Sequence, residues 1–140
     1  MILGVGTDIV QINRLRKIYK NFGETFLKKI YTNKEIVDIK DNNSISFPRM
    51  ANRFAAKEAF YKCLEHNYSL KTPSWKDAEV VIGHKGKPDL LISGVAKNIC
   101  QSMVPKSFFY KIHLSLSDEK EYALAFVMIE LKKINIINKV

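Results

Sequence analysis

The sequence predicts an α+β fold in which a mostly antiparallel sheet packs against a long buried helix. Apolar residues recur at a period of two near the N-terminus and again between Tyr110 and Leu116. Between them, a run of about seventeen residues from Pro48 to Leu64 has a helical period and almost no polar circumference. Helical patterns are interspersed with hairpin patterns, with no internal repeat and no Pro/Gly-rich linker, so residues 1–140 form a single domain.

Taken in order, Ile2 to Val10 is the first strand. Leu3, Val5 and Ile9 form one apolar face, and Gly4, Gly6 and Asp8 form the other. A face carrying two glycines beside a carboxylate marks a place where a backbone or a ligand comes close. From Ile12 the period changes. Ile12, Leu15, Ile18, Tyr19 and Phe22 make one helical stripe, and Arg14, Arg16, Lys17 and Lys20 share the opposite arc. Gly23 stops this helix. After a short segment, Phe26 to Tyr31, the T-x-x-E of Thr32 and Glu35 reads as a capping box opening a short helix through Ile39.

Residues 40–46 are polar and loop-like, and Pro48 suits the first turn of the long helix. In that helix Glu58 and Lys62 form one i, i+4 charge stripe and Arg53 and Lys57 another. Residues 65–77 look irregular. Glu79–Ile82 and Leu90–Ile92 read as a hairpin whose turn holds Gly86 and Pro88. A helix follows from about Val95 to Met103. Tyr110 to Leu116 alternates as a half-buried strand, Asp118 to Glu121 turns, and Tyr122 to Leu131, apolar on both faces, suits a central strand.

Composition narrows the function classes. No apolar run is long enough to cross a bilayer, and the N-terminus has no basic region of the signal-peptide kind, so no membrane role is expected and the location is cytoplasmic. Two distant cysteines, Cys63 and Cys100, make neither a disulfide scaffold nor a zinc module, and His66, His84 and His113 lack ligand spacing. The net charge of +9 attracts polyanions of some kind: nucleic acid, anionic lipid, a phosphorylated cofactor or an acidic protein.

For the chemistry, Glu58 and Lys62 allow two readings. One is a plain intrahelical ion pair, with Asp8 capping the helix that follows it. The other has Asp8 and Glu58 converging on one hard cation, with Lys62 beside it. Magnesium takes one or two carboxylates, keeps waters, and completes its shell with substrate phosphate. Spacing leaves both open. The turn His84-Lys85-Gly86-Lys87-Pro88 is likewise a solvated loop or a phosphate contact.

At these residues the chain resembles the holo-[acyl-carrier-protein] synthases, the short 4'-phosphopantetheinyl transferases. The motifs are GVGTDIV, YTNKE, RFAAKEAFYK, GKP and HLSLSDEKEYALAFVMIE, in the family's order. The resemblance implies the 4'-phosphopantetheinyl transferase fold and a magnesium enzyme that moves phosphopantetheine from coenzyme A to a serine of apo acyl carrier protein. It implies Asp8 and Glu58 as metal ligands, Lys62 on the coenzyme A pyrophosphate, and Arg53, Lys87 and Pro88 as nucleotide contacts. Glu58, directly or through a metal-bound water, is the expected base, and Glu58 and Lys62 are the expected catalytic pair. Family members are homotrimers with sites between subunits, and their acidic carrier protein gives the Arg14 and Lys17 face a partner. A basic nucleic-acid-binding domain and a weakened coenzyme A-binding relative are the alternatives.

Three departures stand out. Asp118 occupies the place of the family's usual histidine after SLS. Near a coenzyme A phosphate it would lower nucleotide affinity, or else join the metal shell. EHNYSL replaces the glycine-rich turn after the KEAF helix, and Asn52 replaces the usual glycine before Arg53.

Overall fold

The computed structural model describes residues 1–64 and 71–135. Strand β1 (Ile2–Gln11) leads into helices α1 (Ile12–Phe22), α2 (Glu24–Ile30) and α3 (Asn33–Ile39). A small ribbon, β2 (Lys40–Asp41) with β3 (Ser44–Ile45), precedes the long helix α4 (Phe47–Cys63). The hairpin β4 (Ala78–Ile82) and β5 (Pro88–Ile92), helix α5 (Gly94–Ser102), and strands β6 (Phe108–Asp118) and β7 (Tyr122–Lys133) complete the described chain.

The main sheet is antiparallel in the order β1-β7-β6, with β7 at its centre as its two apolar faces predict. Across it, Gly6 lies opposite Val127, Asp8 opposite Ala125, and both Val10 and Asp118 opposite Ala123. Helix α4 covers this side. Its Ala51, Ala55, Ala56 and Ala59 are fully buried, as are Ala123, Ala125 and Val127 beneath them.

The two faces of β1 divide the work in an unexpected way. Gly4 and Gly6 face the helix, and a Cβ on Gly6 would lie 1.9 Å from the Ala59 carbonyl oxygen, one on Gly4 2.3 Å from that of Cys63. The glycines let α4 rest backbone-on-backbone against the strand. The apolar face of β1 points outward instead: Val5 and Ile9 are exposed, alongside Leu124 and Phe126 of β7.

Local signals explain most boundaries. Gly23 takes φ +55° at the end of α1. Thr32 and Glu35 make both bonds of the capping box, which stabilises α3 by about 1 kcal/mol. The Ser46 side chain caps α4, with a proline in its first turn. Three elements differ from expectation. The segment around Phe26–Tyr31 is helical, because Leu27, Ile30 and Tyr31 are driven into the core. Residues 40–46 hold the β2–β3 ribbon, made possible by the positive φ of Asn42 and Asn43. Pro88 opens β5 opposite Ile82, and the turn itself is formed by His84–Gly86. The EHNYSL segment lies outside the described residues.

Candidate active site

Three of the sequence-predicted residues come together at the junction of β1 and α4. Asp8 projects from the helix-facing side of β1. Lys62, in the last turn of α4, places Nζ 3.0 Å from Asp8 Oδ1 and 2.9 Å from the Thr7 carbonyl oxygen. Lys62 therefore turns to the acid 54 residues away, not to Glu58 one turn before it, which displaces the intrahelical pair. Glu58 is half-buried, and burial pushes its carboxyl above the ordinary glutamate range. The nearby Asp8 charge pushes it further up, and Lys62 and Arg14 pull it back. An acid raised by burial and by a second acid beside it, with two cations at the edge, suits a divalent cation or a phosphate-bearing ligand.

Asp8 and Glu58 are hard oxygen donors and fit magnesium, which needs few protein carboxylates when phosphate and water complete its shell. Among the described residues, no cluster of three or more acids, histidines and cysteines is placed to hold a metal. Asp118 is elsewhere. It accepts a hydrogen bond from Asn52 Nδ2 at 3.1 Å, six residues before Glu58, about 9 Å earlier along the helix. The two departures from the family pattern thus meet each other, and Asp118 does not share the Asp8–Glu58 corner.

The other predicted residues lie apart from this corner. Arg53 is buried at 4% exposure. Its guanidinium pairs with Asp38 of α3 at 3.3 Å and donates to the Arg49 carbonyl, and its Nε has no partner among the described residues. Within one chain it thus joins α3 to α4. Lys87 and Pro88 line one wall of a cleft of about 570 Å³ between β5 and β6, with Tyr110 and His113 on the other. Asp8, Glu58 and Lys62 do not line it. Arg14 and Lys17 are exposed on α1 as the helical pattern predicts, and Arg14 is close enough for its charge to act on Glu58. Arg16 instead lies over the Phe47 ring, 4.9 Å from its centre.

Sequence reasoning missed a buried ion pair directly beside the site. Lys57 and Glu35 are both fully buried, with Nζ 2.6 Å from Oε1. Lys57 also donates to the carbonyls of Trp75 and Ala78. Glu35 accepts from the Thr32 and Val80 amides. The available signal was a lysine in a helix with almost no polar circumference, which needs a buried acid as partner.

The comparisons with known proteins agree with the fold. A family model described as the 4'-phosphopantetheinyl transferase superfamily matches residues 4–127. The chain is 46% identical over 131 residues to the holo-[acyl-carrier-protein] synthase of Wolbachia pipientis subsp. Culex pipiens (strain wPip), covering 92% of this chain and 98% of that one. Among solved structures, it is similar to the holo-[acyl-carrier-protein] synthase of Neisseria meningitidis, with TM-score 0.75 and 32% identity over 93% of this chain and 99% of that one. It is also similar to the Helicobacter pylori synthase solved in complex with coenzyme A, with TM-score 0.73 and 28% identity over 90% of this chain and 99% of the other. The chain belongs to the 4'-phosphopantetheinyl transferase superfamily.

Proposed function

We propose that this chain is a holo-[acyl-carrier-protein] synthase that transfers 4'-phosphopantetheine from coenzyme A to a serine of apo acyl carrier protein. The observation that carries the reading is the meeting of Asp8, Glu58 and Lys62 at one corner of β1 and α4. In the reaction the serine oxygen bonds to the β-phosphorus of coenzyme A. The bond to the bridging oxygen breaks, and adenosine 3',5'-bisphosphate leaves.

Asp8 and Glu58 would hold a magnesium ion, which supplies charge stabilisation to the transferring phosphoryl oxygens. Lys62 sits on the same corner and would meet the pyrophosphate, where positive charge favours the transition state. Glu58 accepts the serine proton. Burial and the Asp8 charge raise its pKa, which makes it a better base than an ordinary glutamate.

The nucleotide end of coenzyme A is assigned to the Lys87–Pro88 cleft, and Arg53 would become a further contact only on leaving its pair with Asp38. Because that cleft is separate from the acids of its own chain, the reading places each site between copies in a homotrimer. The outward face of the sheet supports this, since Val5, Ile9, Leu124 and Phe126 expose a continuous apolar strip that a second copy would cover. Arg14, close enough to act on Glu58, and Lys17, exposed on the same helix, would dock the acidic carrier protein. No helix among the described residues is long and apolar enough to cross a membrane, in keeping with a cytoplasmic place.

The test is mass spectrometry of apo acyl carrier protein incubated with coenzyme A and this chain, with and without magnesium. The expected result is a gain of one phosphopantetheine group only when the metal is present. Nucleic-acid binding is separated by retention on RNA or duplex DNA, which this reading does not expect.

A further inference from the structure

We propose that the buried Lys57–Glu35 ion pair is the positioning device of the acid site: it fixes the rotation and height of α4, and through it Glu58 and Lys62. The inference rests on the functional reading above.

The contact between α4 and the sheet is smooth. Gly6 meets the Ala59 backbone and Gly4 that of Cys63, and Ala51, Ala55, Ala56 and Ala59 of the helix are fully buried, as are Ala123 and Ala125 of the sheet, so the backbones approach closely. Helices are usually keyed to their neighbours by ridges of larger side chains set into grooves. A surface of alanine and glycine permits close approach and gives little resistance to turning or sliding. Rotation matters here. A misplacement of about 1 Å at a reacting group costs roughly 100-fold in rate.

Lys57 supplies the missing direction. Its ammonium has three protons and spends each on a different acceptor: Glu35 Oε1 at 2.6 Å, the Trp75 carbonyl at 3.0 Å and the Ala78 carbonyl at 2.5 Å. These come from α3, from the short turn Trp75–Asp77 that leads into β4, and from the start of β4. Glu35 is in turn held by the Thr32 amide of its own cap and by the Val80 amide of β4. Every bond is directional and every partner is buried or partly buried, so α4 has one favourable setting. Lys57 immediately precedes Glu58 in the helix, so the pin acts one residue from the acid it orients.

Stability alone does not account for such a pair. A buried ion pair is on balance close to neutral against an apolar pair of similar volume, because desolvation offsets the attraction. Breaking one partner is costly, and replacing both is not. This separates the two roles experimentally.

The test compares wild type with the double variant Lys57→Met, Glu35→Gln. Mn²⁺ binding is followed by electron paramagnetic resonance with coenzyme A present and no carrier protein, and steady-state transfer is measured alongside. The double variant is expected to melt cooperatively, bind Mn²⁺ at least tenfold more weakly and lose at least thirtyfold in kcat. Its KM for coenzyme A should stay within threefold. A folded double variant with unchanged Mn²⁺ affinity and kcat overturns the proposal. If the double variant does not melt cooperatively, Glu35→Gln alone decides: at least threefold weaker Mn²⁺ binding supports the pin, and unchanged binding overturns it. Absence of transfer in wild type overturns the functional reading itself, which is a distinct failure.

Discussion

Lys62 holds its ammonium 3.0 Å from the Asp8 carboxylate, bridging the end of the long helix to the first strand. The acid that α4 itself carries, Glu58, is left to the field of that pair and of Arg14. One cation is thus shared by two acids on different elements. A divalent ion can join them only if Lys62 gives up part of its hold on Asp8. A lysine 53% exposed at its side chain can do so, swinging toward an incoming pyrophosphate.

Replacing Asp8 or Glu58 by alanine is expected to lower magnesium-dependent transfer by at least about 10³-fold, as for loss of a main electrostatic group. The melting temperature should change little, since neither side chain fills the core. The mass-spectrometric transfer assay and a thermal melt check both points. Full activity in both variants would remove the proposed site.

Gly6→Ala tests the backbone contact between β1 and α4. The new methyl would meet the Ala59 carbonyl at 1.9 Å, so the helix must move away. The expected loss is about 2–3 kcal/mol of stability, together with reduced transfer, because α4 carries Glu58 and Lys62. Urea unfolding measures the first and the transfer assay the second.

Carrier-protein docking is tested most cleanly at Lys17. Arg14 also acts on Glu58, so reversing it mixes docking with chemistry. Lys17→Glu is expected to raise KM for acyl carrier protein about tenfold or more and leave KM for coenzyme A unchanged, with the difference shrinking as salt is raised. Equal effects on both substrates would count against this face.

The outward side of the sheet carries a pH-dependent pair. His113 Nε2 lies 2.7 Å from Glu130 Oε2, and that hydrogen bond, with the charges of Lys132 and the N-terminus, holds the Glu130 carboxyl below its ordinary range. A depressed carboxyl favours the fold above its unfolded pKa, and the benefit is lost as pH falls through the folded value. In an NMR titration Glu130 should therefore titrate below about 4.5. His113→Ala should return it toward that value, and no movement would refute the assignment.

How far the sequence could be read depended on how local each cause was. Thr32 with Glu35, Gly23 and Pro48 act within a turn of their own positions, and the structure has all three where the chain pattern puts them. The glycine face of β1 was also legible as a close approach, with α4 as the partner. Nothing local reveals that the apolar face of the same strand lies outward, since alternation marks faces without saying which meets the core. Lys57 was hidden for a related reason. Its partners are Glu35, 22 residues away, and two carbonyls, and carbonyls have no sequence signature. Glu35 in turn already had a complete explanation as a helix cap. The meeting of Asn52 with Asp118 spans 66 residues and emerges only when β6 is laid against α4.

The most direct test of the account is a crystal structure grown with Mn²⁺ and coenzyme A, with the ion located by its anomalous scattering. One ion is expected, bound by oxygens of both Asp8 and Glu58 at about 2.0–2.3 Å, with phosphate oxygens in its remaining shell. An ion held by neither acid, or by one with the other turned away, would contradict it.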